Sequence, residues 1–487
     1  MAGLLLGLVL PQAGHSDTAE SLPLMGDPVS AIISPADEII LGRAYLRALR
    51  SQMPIILDPA LNNYVEQLIT RIIAASEGEL PPVQLAMINS SAINAFAVPG
   101  GILGINAGLL LYTTTEAELA AVLAHELAHL SQRHYARGIE HREKTKWATY
   151  AGLLASVALL ATTDSSTGIA SILATQAATI DANLQFSRQN EREADRVGME
   201  SLYNAQFDPR AMPAFFSRLL ASKQFSGTNE YEFLNTHPVT QSRISDSQAR
   251  ADQLTTQIMP LQQSTLFQFM QARIKAAYAS TPQEAISQYR TKLKNKKHNL
   301  INRYGLARAY IRNQQFEKAL DTILNQGKYT ADSLQLDAQT ELQFGLVEIE
   351  IYLEQEEFTA AKTVIERLQD KYPSSEPLEY YRAKSHLGLQ QDQHAADILN
   401  DLLRNDPENL LYLRNLLTAE RNLYDQTKTL LTQARISFAH GQYSQAKQHY
   451  RQALDSVSAN NLSLQAKIKQ EIIDINTLER RLQKFSG

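Results

Sequence analysis

The second half of this 487-residue chain repeats its small and helix-ending residues at a fixed spacing, and no other feature constrains the fold as strongly. Beyond about residue 265, the following pairs are each 34 residues apart: Ala285 and Ala319, Ala361 and Ala395, and Pro373 and Pro407. Small residues allow paired helices to approach closely, and proline ends the second helix of a pair. One pair cannot bury its apolar face alone, so the pattern predicts stacked helix pairs.

The 34-residue pattern resembles the tetratricopeptide repeat, with an irregular helical domain as the alternative. The period is interrupted twice, because 42 residues separate Ala319 from Ala361 and 51 residues separate Ala395 from Ala446. Extra turns or a degenerate unit must therefore lie in these two intervals. We predict an α-helical tetratricopeptide-repeat solenoid over residues 265–487.

A pair of histidines lies inside a segment that is predicted to form one long helix, from Glu116 to about Lys144. At about 100° per residue, His125 and His129 project from one helix face, one turn apart. This spacing lets both imidazoles bind one Zn²⁺ ion at about 2.0–2.1 Å. Glu126 can reach a water on that ion without binding the metal. Two polar imidazoles on an otherwise buried helix need such a reason, and a pair of hydrogen-bonded structural histidines is the alternative.

A catalytic zinc site needs a third protein ligand and an open position. The extended motif H-E-x-x-H-x-x-G-x-x-H is absent, because Gln132 and Tyr135 stand in place of its glycine and third histidine. Downstream, Glu191 and Asp195 are four residues apart and share a helix face, so one can bind the metal while the other orients a ligand histidine. Glu193 points about 200° away from Glu191 and is the weaker candidate ligand. A solvated acidic helix start is the alternative.

Three motifs of the first half together resemble the CAAX-prenyl-protease-like zinc metallopeptidases. They are H-E-x-x-H at residues 125–129, E-x-E-A-D at 191–195, and N-A-F-A at 94–97, followed one residue later by P-G-G. The resemblance implies an α+β, zincin-type peptidase domain with a small edge sheet over residues 34–255, in a chain that is mostly α overall. It implies one Zn²⁺ per chain, with the ligands His125, His129 and Glu191.

The same resemblance gives roles to further side chains. Glu126 would be the general base and later the acid that protonates the leaving amine, and Asp195 would orient a zinc ligand. His237 and Arg243 match a family pair, six residues apart, that approaches the metal and the substrate. His237 can either donate to the oxyanion or occupy the fourth zinc position and hold the enzyme off, and a surface-loop histidine is the alternative. The edge strand that would pair with a substrate strand contains Asn94, Ala95, Phe96 and Ala97.

The fusion of such a domain to tetratricopeptide repeats resembles a periplasmic branch of the family in Gram-negative bacteria. This implies a zinc endopeptidase with chaperone-like activity in the assembly and quality control of outer-membrane β-barrel proteins. Its substrates would be misassembled or unfolded barrel proteins, and its repeats would bind the β-barrel assembly machinery. A repeat-based chaperone or adaptor with a latent, gated peptidase is the alternative. A zinc-dependent hydrolase that does not cleave peptides is a third possibility.

Composition and the apolar segments restrict the function further. A net charge of −5 lacks the basic surplus that is typical of a nucleic-acid-binding protein. The absence of cysteine excludes disulfides, cysteine–zinc sites and a lipoprotein anchor. Residues 1–20 predict a truncated secretory signal, with an apolar N-terminal tail docked on the domain as the alternative. The apolar arms in residues 148–180 are shorter than the roughly 20 residues that span a bilayer. They predict a buried helical hairpin, with a membrane-surface contact as the alternative.

Overall fold

The computed structural model describes residues 34–135, 188–226, 232–255, 264–295, 300–324 and 337–486. Helices dominate these ranges and one small sheet accompanies them, so the predicted fold class is confirmed. No helix within these ranges is long and apolar enough to cross a bilayer. The predicted signal at residues 1–20 and the predicted apolar hairpin at 148–180 lie outside the described residues.

Two capped helices begin the N-terminal region, α1 (Pro35–Gln52) and α2 (Pro59–Ala75). The side chains of Ser34 and Asp58 each accept a hydrogen bond from the backbone amide three residues later. In both helices a proline occupies the first position, where its missing N–H would have had no intrahelical partner. Local chemistry therefore determines where both helices start.

A three-stranded sheet follows, formed by β1 (Gln84–Ile88), β2 (Ala95–Val98) and β3 (Ile102–Asn106). The strand order is β1-β3-β2, with β1 parallel and β2 antiparallel to β3. The turn between β2 and β3 contains Gly100 and Gly101 at φ 85° and 88°, a conformation that favours glycine. Among the described residues, β2 therefore lies at an edge of the sheet.

The remaining helices of the N-terminal region are α3 (Ala107–Tyr112), α4 (Glu116–Ser131), α5 (Arg188–Asn204), α6 (Ala211–Ser226), α7 (Phe233–Thr236) and α8 (Gln241–Leu254). Every residue of α4 from Glu118 to Leu130 is buried. The prediction that this helix continues to about Lys144 is wrong. Arg133 adopts φ 48°, a left-handed conformation that ends α4 at Ser131.

The repeat region consists of successive helices joined by short turns or by segments outside the described ranges. They are α9 (Thr265–Tyr278), α10 (Pro282–Asn295), α11 (Leu300–Arg312), α12 (Phe316–Leu324), α13 (Ala338–Glu354), α14 (Phe358–Gln369), α15 (Glu376–Gly388), α16 (Asp392–Asn405), α17 (Leu410–Asn422), α18 (Gln426–Ala439), α19 (Tyr443–Ser456) and α20 (Leu462–Ser486). Left-handed residues recur in the turns between helices, at Gln314, Glu356, Gln390, Tyr424 and Gly441. Glu356, Gln390 and Tyr424 follow one another at steps of 34 residues, which is the period that the sequence predicts.

The repeated alanines are fully buried between helices, and they include Ala319, Ala361, Ala395 and Ala446. The 51-residue interval arises because one additional helix, α17, stands between the pair that ends in α16 and the pair formed by α18 and α19. Part of the 42-residue interval lies in residues 325–336, which are outside the described ranges. The longer interval therefore contains one extra helix.

Hydrophobic cores extend from the N-terminal region into the repeats, and two of them include the sheet. The first joins α2, α4 and one face of the sheet with α9, whose Phe267 and Phe269 are buried. The second joins α1 and the opposite sheet face, including Phe96 and Val98, with α18, α19 and α20. The repeats thus pack against two sides of the N-terminal region. The domain boundaries at residues 34–255 and 265–487 stay a prediction.

Ion pairs reinforce both contacts. Arg47 of α1 donates from Nη2 to Glu408 Oε1 at 2.6 Å, and Glu408 lies in the turn before α17. Arg273 of α9 donates to Asp58 Oδ2 at 2.5 Å and to Glu350 Oε1 at 2.5 Å. Asp58 caps α2, so the same carboxylate starts a helix and holds the repeats against it. These side chains are mostly buried, which reduces solvent screening of the pairs.

Candidate metal centre

Helices α4 and α5 approach closely at a single glycine. A Cβ atom added to Gly198 of α5 would lie 2.9 Å from the Ala124 carbonyl oxygen and 3.0 Å from the His125 backbone nitrogen. These separations are shorter than ordinary van der Waals contact, so a larger residue would push the helices apart. Glycine at this position lets α5 carry its acidic side chains up to the histidines of α4.

Four buried side chains meet between α4, α5 and the end of α7. They are His125, His129, Glu191 and His237. His125 Nε2 lies 3.1 Å from His129 Nε2 and 3.3 Å from His237 Nδ1. Glu191 Oε1 lies 3.1 Å from His237 Nδ1 and 3.5 Å from His129 Nε2. Three nitrogens and one carboxylate oxygen therefore point at a common centre.

The spacing of these four atoms fits one four-coordinate metal ion. Ligands about 2.0–2.1 Å from a tetrahedral ion lie about 3.3 Å from each other. Four of the six separations between donor atoms run from 3.1 to 3.5 Å, and all six are within 4.8 Å. Imidazole nitrogens combined with a carboxylate oxygen are also a donor set typical of zinc and similar divalent metals. The residues present thus fit a metal, with His237 in the fourth position.

The protonation of two ligands suits a cation. Burial raises the pKa of the Glu191 carboxyl. The charge of His237 and the hydrogen bond with His125 outweigh burial, and they hold this pKa well below its usual range. Burial lowers the pKa of the His129 imidazole well below its usual range. An ionised carboxylate and a neutral imidazole are the forms that bind metals.

Behind this cluster, Asp195 and Arg243 hold the ligands in place. His125 Nδ1 lies 3.0 Å from Asp195 Oδ1, and a carboxylate can only accept, so a hydrogen belongs on Nδ1, and Nε2 is the nitrogen that faces the other donor atoms. Arg243 donates to both Asp195 oxygens at 2.7 Å, and its Nη1 lies 2.7 Å from Glu191 Oε2. Burial raises the pKa of Asp195, but its hydrogen bonds with His125 and Arg243 outweigh burial and lower it. The structure thus places Arg243 on the carboxylates.

Glu126 is fully buried beside the four ligands, but it is not one of them. Its Oε1 lies 3.3 Å from His237 Nε2. His237 therefore contacts the ligand cluster through Nδ1 and contacts Glu126 through Nε2. Burial raises the pKa of the Glu126 carboxyl, against the opposing charges of His237 and His125. A carboxylate next to a metal without binding it is the arrangement that a general base requires.

Comparison with known proteins agrees with this geometry. Residues 59–251 match the family model of Peptidase family M48. Over 493 residues the chain is 30% identical to the beta-barrel assembly-enhancing protease of Escherichia coli (strain K12), covering 100% of this chain and 97% of that protein. The chain belongs to peptidase family M48. It is therefore a metallopeptidase, and the predicted enzyme class is confirmed.

Other relatives match shorter parts of this M48 peptidase. A putative beta-barrel assembly-enhancing protease of Vibrio cholerae is 36% identical over 337 residues, which cover 68% of this chain and 69% of that protein. The mitochondrial metalloendopeptidase OMA1 of Schizosaccharomyces pombe is 34% identical over 181 residues, 37% of this chain and 50% of that protein.

The edge strand of the M48 peptidase presents alternate backbone groups outward. The Asn94 carbonyl accepts from the Asn106 amide at 3.0 Å, so residues 94, 96 and 98 pair with β3. Ala95 and Ala97 consequently direct their backbone groups to the open edge. The Tyr135 hydroxyl donates to the Ala97 carbonyl oxygen and covers part of that edge. Sequence reasoning treated Tyr135 only as the residue that replaces a third histidine, and no signal in the sequence indicated this contact.

One further residue of the site, His134, has no role that the sequence predicts. Glu193 is predicted only as the weaker candidate ligand. The structure places His134 against His129, with Glu193 behind it and away from the donor cluster. A buried histidine beyond the end of α4 was not predictable, because the helix itself was expected to continue.

Proposed function

We propose that this M48 peptidase binds one Zn²⁺ through His125, His129 and Glu191 and cleaves misassembled or unfolded outer-membrane β-barrel proteins in the periplasm of Gram-negative bacteria. The observation that supports the metal is the convergence of four buried donor atoms, of whose six separations four run from 3.1 to 3.5 Å and all are within 4.8 Å. Nitrogen donors favour zinc over Ca²⁺ and Mg²⁺, which take oxygen ligands. The similarity to beta-barrel assembly-enhancing proteases over the whole chain supports the substrate class and the compartment.

The chain's own residues suffice for the proton transfers of peptide hydrolysis. A divalent ion held by His125, His129 and Glu191 would act as a Lewis acid toward the scissile carbonyl and the attacking water. Glu126 takes the proton from that water and returns it to the leaving amine. A substrate strand that pairs with Ala95 and Ala97 would run beside Glu126, because the Ala97 backbone lies next to that carboxylate. Pairing at Ala97 also requires Tyr135 to release the carbonyl.

His237 holds the peptidase in a latent state, as part of the same proposal. A catalytic zinc site keeps one position open, whereas His237 adds a fourth protein donor. His237 follows α7 and stacks on Phe233 with ring centroids 4.8 Å apart, so its displacement from the donor cluster would break this stack. Once displaced, its Nε2 can serve the alternative role, as a donor to the oxyanion.

The latent site also supports the second candidate function, in which the repeats act as a chaperone or adaptor and the peptidase is mostly off. All four donor residues are almost completely buried, so a substrate cannot reach the centre of this conformation without rearrangement. The repeats would then bind the β-barrel assembly machinery independently of cleavage.

Zinc content and proteolysis of an unfolded β-barrel protein test the proposal. The variants are Glu126→Gln and His237→Ala, with His394→Ala, an exposed histidine on α16, as the control. We expect one zinc per wild-type chain and a loss of cleavage of about 10²–10⁴-fold in Glu126→Gln. Faster cleavage by His237→Ala identifies a gate, and slower cleavage identifies a catalytic donor. Absence of zinc, or undiminished cleavage by Glu126→Gln, would exclude the metallopeptidase mechanism.

A complementation assay separates the two candidate functions. Cells that lack the protein receive wild type or Glu126→Gln, and the yield of folded outer-membrane β-barrels is measured. Full support of assembly by Glu126→Gln would assign that role to the repeats, and loss of support would assign it to cleavage. Fractionation of the same cells tests the periplasmic location.

A further inference from the structure

A second buried histidine connects a metal ligand to a carboxylate outside the donor cluster. His134 is fully buried, and its Nδ1 lies 3.0 Å from Nδ1 of His129. Its Nε2 lies 3.2 Å from Oε2 of Glu193. The three side chains form a continuous chain of short contacts from the metal position to the half-buried edge of α5.

The early end of α4 creates this contact. In a continuous helix, the fifth residue after His129 would lie about 140° around the axis and could not meet it. The left-handed Arg133 turns the chain instead, and brings His134 back against the ligand. The departure of α4 from the expected helix therefore has a local consequence for the site.

One proton arrangement satisfies the described contacts of all three side chains when a metal is bound. A metal that takes the Nε2 lone pair of His129 leaves the hydrogen on its Nδ1, which then donates to His134 Nδ1. His134 must consequently carry its hydrogen on Nε2, where it donates to the Glu193 carboxylate. The carboxylate can only accept, so it excludes the reverse arrangement.

We propose that His134 and Glu193 are positioning residues that fix the tautomer and ring orientation of His129 for metal binding. This inference rests on the proposed metal site. It matches the arrangement at His125, whose Nδ1 lies 3.0 Å from Asp195 Oδ1. Helix α5 then supplies one ligand, Glu191, and the carboxylates behind both histidines. Glu193 reaches His134 because it points away from Glu191 around the helix.

Four variants test the proposal by Zn²⁺ affinity, measured in competition with a chromophoric chelator, and by the visible spectrum of the Co²⁺-loaded protein. His134→Phe keeps a ring but removes the contacts with His129 and Glu193. His134→Gln keeps one acceptor and one donor. Glu193→Ala removes the terminal carboxylate. Glu200→Gln is the matched control, because Glu200 also lies on α5 but pairs with Arg196 toward solvent.

We expect His134→Phe and Glu193→Ala to weaken Zn²⁺ binding about 10–100-fold, as loss of an outer hydrogen-bond partner typically does. His134→Gln should retain most of the affinity and the wild-type Co²⁺ spectrum, and the control should equal wild type. A merely structural role for His134 predicts equal losses for Phe and Gln, so that result would overturn the inference. Unchanged affinity in both His134→Phe and Glu193→Ala would overturn it as well. Glu193→Ala keeps the test valid if His134→Phe fails to fold, because Glu193 is partly exposed.

The wild-type protein distinguishes this inference from the function on which it rests. If wild type binds no divalent metal, the proposed metallopeptidase centre is wrong and the inference falls with it. If wild type binds Zn²⁺ and the variants bind it equally well, only the inference is wrong.

Discussion

Replacing Gly198 by alanine should damage the metal centre more than it destabilises the fold. The new Cβ would lie 2.9 Å from the Ala124 carbonyl oxygen, in the contact where α5 crosses α4. Carbon and oxygen need at least about 3.4 Å, so the two helices must separate locally by about 0.5 Å. This displacement moves Glu191 and Asp195 away from His125, because both carboxylates lie within two turns of Gly198 on the same helix.

The expected magnitudes separate the two effects. Alanine in a helix interior gains up to about 1 kcal/mol over glycine, whereas overpacking costs about 1–3 kcal/mol. The free energy of unfolding of the metal-free protein should therefore fall by only about 0–2 kcal/mol. Metal–ligand distances tolerate about 0.2 Å, so a shift of about 0.5 Å should weaken Zn²⁺ binding by about 10–100-fold.

Urea unfolding of the metal-free protein and chelator competition for Zn²⁺ measure the two quantities. Gly305→Ala provides the matched control. Gly305 lies in the repeats, away from the metal centre, and its added Cβ would lie 2.3 Å from the Tyr289 ring. The control should lose stability but retain Zn²⁺ affinity. The reasoning is refuted if Gly198→Ala binds Zn²⁺ as tightly as wild type, or if both variants weaken binding equally.

Three further perturbations test the contacts around the site. Burial raises the pKa of the Glu408 carboxyl, but the charge of Arg47 outweighs burial and lowers this pKa. The ion pair therefore stabilises the folded state at neutral pH, and its contribution falls as the pH drops through the pKa of the folded state. Glu408→Gln should cost about 1–3 kcal/mol of unfolding free energy at pH 7, and urea titrations should show this difference shrinking below about pH 4; an equal difference at pH 3 would contradict it. The Glu118 carboxylate accepts hydrogen bonds from the Thr114 amide and from Arg218, each at 2.6 Å. Glu118→Ala should therefore lower the free energy of unfolding by about 1–2 kcal/mol. Little further loss on adding Arg218→Ala would show that the two side chains are coupled. Removal of the metal with a chelator should lower the Tm reversibly, because binding to the folded state alone stabilises it; a chelator-insensitive Tm would count against a metal in the folded protein.

Local geometry explains why much of the metal centre was predictable from the sequence. His125 and His129 are one turn apart, and Glu191 and Asp195 are one turn apart, so helix periodicity alone places each pair on one face. His237 lies in a loop, and no periodicity connects it to α4, so only the family resemblance indicated it. The repeats were equally predictable, because the alanines and prolines of the sequence recur every 34 residues, and the left-handed turn residues of the structure have the same spacing.

Long-range contacts were not predictable. Arg243 spans Asp195 and Glu191 because α8 packs on α5, and nothing in the spacing of the sequence encodes that packing. The contact between His134 and His129 depends on a turn at Arg133, which lies in a segment of ordinary helix-forming residues. The packing of the repeats on α1 likewise brings together segments that are hundreds of residues apart in the chain.

The second hydrophobic core has a consequence for the order of folding. It joins α1, at the start of the described chain, to α18, α19 and α20, at its end. Contacts between such distant segments close a very long loop, so they form late and slow the folding reaction. One face of the sheet that carries the edge strand thus stays uncovered until the final helices have left the ribosome. The N-terminal region cannot complete its packing before α18, α19 and α20 are made, and a chain that lacks these helices would expose an apolar surface.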